Sequence, residues 1–190
     1  VARQNYAKAL ILCLLLIVIA FFSSFEKKQL AMTSSPEAYR KAILHPIKYR
    51  FYMLWRLPSL IFWGIKVKSI DALSATVAMK HGWTNQNPFG SVYFSALNGA
   101  AELSTGILVQ AALQGRPPFS MLVVESRAQF HKKAKGKLLF TCTQGEEVAA
   151  TLQQLDKNGG QTTLWLHSTA SNEAGERVGE FSFLWALKKK

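Results

Sequence analysis

Cysteine and acidic residues are both scarce in this sequence. The two cysteines, Cys13 and Cys142, lie in an apolar run and a strand-like run. Neither a cystine framework nor a thiolate metal site is expected from them, and a reducing compartment fits. Eleven Asp and Glu (11) stand against 23 Lys and Arg, a formal charge of +12. Such an excess calls for an anionic partner: nucleic acid, an anionic membrane surface, or a phosphate-bearing cofactor such as coenzyme A. Charge alone does not choose among them. Also missing are a Walker sequence and a G-x-G-x-x-G turn. His81, His131 and His167 do not have metal-ligand spacing, so no metal site is expected. Ser95 and Ser104 lie outside any G-x-S-x-G elbow, with no His–acid pair to activate them.

What is present is apolar mass. Hydrophobic residues make up 49% of the 190 and charged ones 18%, which excludes a disordered chain and suits one domain with an appendage. The appendage is residues 1–31. Within it Ala9 to Phe25 carries no charge, a run of about 17 residues at the short end for crossing a hydrocarbon core. Arg3 and Lys8 before it also fit a secretion signal, but no clear small-x-small cleavage site follows. Basic residues are denser after the run (Lys27, Lys28, Arg40, Lys41) than before it. If the run is an anchor, the main domain therefore lies in the cytoplasm. Met32-Thr-Ser-Ser reads as a native start, so residues 1–31 can equally be an upstream extension. Anchor, signal and extension all stay open here, and membrane association with them.

Ser34-Ser35-Pro36 with Glu37 reads as a helix start. The helix should reach about Arg56, broken at His45-Pro46, with a short helix from Pro58 to Trp63. Residues 32–63 thus form an N-terminal helical region. Its aromatics interleave with Lys48, Arg50 and Arg56, a pattern that either packs on the domain or meets an interface. From residue 64 the pattern changes to alternation, giving two short strands around Ile70-Asp71-Ala72. A loop rich in Asn, Gly and Pro covers His81 to Gly90. Val92 to Leu113 then reads as one helix with a single charge, Glu102, and so must be buried nearly all round. Strands are expected at Met121–Phe130, Gly136–Thr143, Thr162–Ala170 and Val178–Leu187. Gln144 to Lys157 reads as a short helix, and Asn172-Glu-Ala-Gly175 as a hairpin turn. One buried helix among antiparallel strands is an α+β layout.

Asn87-Pro88-Phe89-Gly90-Ser91-Val92-Tyr93-Phe94-Ser95-Ala96-Leu97, with Ala101-Glu102 further on, resembles the N-P-x-G-T-V-H-G-G-A-L-x-x-L-A-D stretch of the hotdog thioesterase-like family. Phe130 to Gly136 is similar to the same family's Phe-x-x-x-Ala-x-Gly turn. The resemblance covers residues 64 to 187 and extends to acyl-CoA thioesterases of the phenylacetate-pathway type. It implies a hotdog fold for residues 64–190, a curved antiparallel sheet wrapped around one long central helix, with the N-terminal helices added. It also implies binding or hydrolysis of acyl-CoA or acyl-carrier thioesters in a homodimer or a dimer of dimers. Coenzyme A would enter as part of the substrate, with no separate cofactor. Tyr93-Phe94-Ser95 departs from His-Gly-Gly, whose glycines admit the thioester.

Glu102 matches the family's catalytic acid. A carboxylate on a buried helix has its pKa raised by desolvation unless it is paired, and can then serve as a general base or as a nucleophile. Amides near Gly90 to Phe94, aided by the helix dipole, suit an oxyanion, and Gly90 permits close approach. Asn87 either holds the thioester oxygen or simply turns the chain, and Tyr93 stands at the family's His position. Ser91 and the basic cluster Arg127, Lys132, Lys133 and Lys135 are the expected coenzyme A contacts; a solvated charge run is the alternative. Two functions from different classes follow, a thioester hydrolase and a non-catalytic acyl-binding scaffold. Nucleic-acid binding ranks below both.

Overall fold

The computed structural model describes residues 35–190; the apolar run Ala9–Phe25 lies outside them. Three helices open the described chain: α1 (Pro36–Leu44), α2 (Pro46–Arg56) and α3 (Pro58–Phe62). Each has proline in its first turn, where the missing N–H removes no helical bond. Ser35 caps α1 by accepting from the Ala38 amide at 3.2 Å, and His45 caps α2 by accepting from Lys48. Their inner residues Ile43, Tyr49, Met53 and Leu60 join the same core as the sheet. No helix among the described residues is long and apolar enough to cross a membrane.

Then come β1 (Lys66–Ile70), β2 (Ala75–Lys80) and the long helix α4 (Phe94–Leu113). After it follow β3 (Phe119–Phe130), β4 (Lys137–Cys142), α5 (Gly145–Asn158), β5 (Gln161–Asn172) and β6 (Arg177–Lys189). The six strands form one antiparallel sheet in the order β1-β2-β4-β5-β6-β3. This is the curved hotdog sheet closed around α4. Alternate residues supply its inner face: Val77 and Met79, Leu138 and Phe140, Leu166 and Ala170, Phe181 and Phe183 are all buried. Strand β3 lies at one edge, with Leu122 and Val124 turned outward and exposed.

Two sequence expectations need correction. Helix α4 starts at Phe94, not Val92, because Val92 is held by a bridge to Gln86 and by Ala134. Nor is α4 buried all round. Ser95, Asn98, Gly99 and Glu102 are half-buried, and their i, i+3, i+4, i+7 spacing places them on one stripe. The mean composition of the helix hid that stripe, since small residues make it.

Helix α5 docks on the β1–β2 turn with no room to spare. A Cβ at Gly145 would meet the Ala72 carbonyl oxygen at 2.0 Å and the Leu73 Cα at 2.5 Å. Backbone cannot yield as a side-chain tip can, so Gly145→Ala should cost about 3 kcal/mol or more, the upper range for overpacking. Thermal and denaturant melts of the variant measure it.

Candidate active site at the central helix

The site begins in the loop joining β2 to α4. Its anchor is Asn85, which sequence reasoning passed over. Asn85 is buried, donates to the carbonyls of Trp63 and Lys80 at 2.9 Å each, and accepts from the Gly82 amide. One side chain thus ties α3, β2 and the loop together. Its signal in the sequence was only an Asn in a turn-rich stretch, indistinguishable from Asn87.

Asn87 spends its carboxamide locally. Its Oδ1 accepts from the amides of Phe89 and Ser91, while its Nδ2 donates to Ser91 Oγ and the Val92 carbonyl. Ser91 is buried as the partner in this turn. Gly90 has φ +71°, a conformation that favours glycine, and its amide donates to the Asn87 carbonyl. The amides of Val92 and Tyr93 donate to Ala134 and Asn85. Every loop amide from Phe89 to Tyr93 therefore already has an acceptor. The free donors come next: among the described residues the amides of Phe94 and Ser95 have none. Those two residues occupy the positions of the family's Gly-Gly. Tyr93 caps the helix without a side-chain hydrogen bond; its ring is exposed and meets Phe94 edge-on at 4.9 Å.

Glu102 lies two turns along α4, on the half-open stripe. Its carboxylate has no hydrogen bond or ion pair among the described residues. Burial pushes its pKa up to about 6. The wall beside it is Trp185. A Cβ at Gly106 would sit 3.3 Å from the Trp185 ring and 3.4 Å from Glu102 Oε1, so the acid and the indole flank the same glycine. Trp185 is fixed by donating its Nε1–H to Thr105 Oγ1 at 3.1 Å, and Thr105 in turn donates to the Glu102 carbonyl. One turn before Glu102, the Asn98 Oδ1 is buried without a hydrogen-bond partner. The sequence offered one signal for it, the four-residue spacing from Glu102 that puts both on one face. Two open clefts of ≈ 250 and ≈ 270 Å³ lie elsewhere on the molecule, and neither is lined by Glu102.

The basic cluster divides. Arg127 pairs with Glu125 at 2.7 Å and lies over the Trp165 ring, while Lys132 pairs with Glu176 at 2.6 Å. Lys133 and Lys135 are exposed, with no ion pair among the described residues. They flank Ala134, the acceptor of the Val92 amide, and so stand beside the start of α4. Among the described residues no three His, Cys, Asp or Glu come together as a metal site.

Residues 52–187 match the family model described as a domain of unknown function, DUF4442. The chain belongs to this family. Among proteins of curated function, no sequence matches. Solved structures share the fold. A protein of unknown function from Pseudomonas aeruginosa, called a probable thioesterase, is 24% identical with a TM-score of 0.63, over 74% of this chain and 93% of that one. One from Chlorobaculum tepidum, also of unknown function, is 17% identical with a TM-score of 0.69, over 83% and 99%. A thioesterase from Haemophilus influenzae is 12% identical with a TM-score of 0.54, over 69% and 82%. The hotdog fold that the loop's resemblance implied is thus the fold found, and solved structures called thioesterases share it.

The raised pKa of Glu102 has a stability consequence. Folding favours its protonated form, so this group's contribution is full below about 4.5, the unfolded value, and is lost as pH rises through about 6. The loss approaches about 2 kcal/mol, at 1.36 kcal/mol per pKa unit. Glu102→Gln removes the titration. The variant should therefore gain stability relative to the parent between pH 4.5 and 7, by about that amount, in paired urea melts.

Proposed function

We propose that this protein hydrolyses acyl thioesters of coenzyme A or of a carrier protein, with Glu102 as general base. The observation that carries this reading is an unpaired, half-buried carboxylate with its pKa near pH 6, on the one open stripe of the central helix. Such a group is ionised at neutral pH yet basic enough to take a proton from water. Asn98 supplies an unfilled acceptor one turn away that can hold the same water. In the step proposed, water adds to the thioester carbonyl as its proton passes to Glu102. The Phe94 and Ser95 amides then hold the oxyanion. Collapse of the tetrahedral intermediate expels the thiolate, which takes the proton back from Glu102. The products are a carboxylic acid and a thiol.

The reading is that each site draws on two chains. Phe94 and Glu102 are eight residues apart, about 12 Å along the axis at 1.5 Å per residue, whereas the oxyanion donors and the water held by Glu102 must meet at one carbonyl. A second copy that brings its own α4 start to Glu102 resolves the distance. The exposed edge of β3 offers the surface for a homodimer, since an uncapped edge invites pairing. Lys133 and Lys135, beside the helix start, are placed to meet the phosphates of coenzyme A. Tyr93 would line the mouth, Gly90, Asn87 and Ser91 would shape the loop, and Arg127 and Lys132 would form its charged rim.

A non-catalytic acyl-binding role is the second reading. It is favoured by the side chain of Phe94 where the family has glycine.

Turnover of an acyl-CoA panel tests the first reading. Activity should rise with pH through about 6 and then level, and Glu102→Gln should lower it by about 10²- to 10⁴-fold. Saturable binding without turnover at any chain length would establish the scaffold instead. Phe94→Pro removes one oxyanion donor at a position where Tyr93 is already extended, so the helix start survives. If each site uses two chains, mixing inactive Glu102→Gln with inactive Phe94→Pro should restore about a quarter of the parent activity, from one intact site per mixed dimer. No recovery after verified mixing places both groups in one chain.

A further inference from the structure

Helix α2 is apolar on two faces. Its inner face, Tyr49 and Met53, is buried in the core. Ile47 and Leu54, seven residues apart and so on one stripe about a third of a turn away, point outward and are 63% and 46% exposed. Phe62, at the end of α3, is 64% exposed, and Leu44 and Leu57 at the helix junctions are exposed as well. Between α2 and α3 runs an open groove of ≈ 270 Å³ lined by Ile47, Arg50, Phe51, Leu54 and Ile61. A soluble surface seldom keeps this many large apolar side chains on neighbouring helices.

The charge around this face is of one sign. Between Glu37 and Asp71 the chain has no acidic residue and seven Lys and Arg, from Arg40 to Lys68. Lys41, Lys48, Arg50, Lys66 and Lys68 have no ion pair among the described residues. A helix with an outward apolar stripe and cations beside it has the chemistry of an interfacial helix on anionic lipid. Nucleic acid would satisfy the cations but leave the aliphatic stripe in water. A second copy would bring like charges together. The uncharged run Ala9–Phe25 precedes the described chain by nine residues.

We infer that the outer face of α2 and the end of α3 form a docking surface for an anionic bilayer, with Ile47, Leu54 and Phe62 entering the interface and Lys48 and Arg50 meeting the headgroups. This goes beyond the hydrolase reading and does not depend on it.

An environment-sensitive fluorophore tests it in the full chain. The probe is attached at Leu54→Cys with Cys13→Ser; Cys142 is buried and stays unlabelled. Vesicles of equal parts phosphatidylcholine and phosphatidylglycerol should shift its emission to the blue, and phosphatidylcholine alone should not. A probe at Ala174→Cys, on the β5–β6 turn, should stay in water with both. Reversing Lys48→Glu and Arg50→Glu should weaken the response by about tenfold or more. The inference fails if the chain cosediments with anionic vesicles while the Leu54→Cys probe stays in water. It fails equally if both probes shift together. A blue emission without vesicles also overturns it: dependence on protein concentration would assign the face to a second copy, and independence to the chain's own N-terminal segment. Circular dichroism of each variant checks that the fold is kept.

Discussion

A sheet that wraps a helix must fill the space between with side chains from both, and this requirement governs most of the molecule. Helix α4 runs twenty residues (Phe94–Leu113) with one ionisable group, because every other turn of it faces sheet, α1 or α5. Ala96, Ala100 and Ala101 are fully covered, and their small size lets the strands close in. Tyr39 of α1 reaches across to hydrogen-bond Gln110 at 2.7 Å, tying the N-terminal helices to the same rod. Between its two ends the helix is relieved along the stripe from Ser95 to Glu102, and a carboxylate can be placed in the middle of α4 only where such relief exists. Packing therefore selects the position of the acid, and the partial burial of that position sets its basicity.

The loop before α4 shows a second economy. Asn85 and Asn87 satisfy the backbone of a turn-rich segment from within, consuming amides that would otherwise be donors. Only at Phe94 and Ser95 does this local supply of acceptors end. An oxyanion site at the start of a helix needs such unfilled N–H groups. Here they fall on residues with side chains rather than on glycines. A substrate carbonyl must then approach past the Phe94 ring, which bears on the substrates the site can admit.

The surface is as uneven as the interior. Around β3 and the β5–β6 turn, cations are answered by acids: Lys132 by Glu176, Lys137 by Glu173, Arg177 by Glu180. On α2 and β1, Lys48, Arg50, Lys66 and Lys68 have no ion pair among the described residues, and on α2 and α3 Ile47, Leu54 and Phe62 also turn outward.

The sequence by itself determined the order of elements, because hydrophobic periodicity, prolines at helix starts and the Asn-Gly-Pro loop are local signals that tertiary context did not override. It also singled out Glu102, since one acid in an apolar helix is visible in one dimension. Only the tertiary structure decided which groups remain available. Whether an amide or a carboxamide is spent depends on acceptors from elsewhere in the chain: Ala134 for Val92, Trp63 for Asn85, Glu176 for Lys132. The Asn98 Oδ1 and the Phe94 and Ser95 amides stand out because nothing among the described residues reaches them, a property of surroundings that no residue type encodes. Likewise α2 reads in sequence as mixed aromatic and basic, and folding alone turns Tyr49 inward and Leu54 outward by fixing the helix against its core.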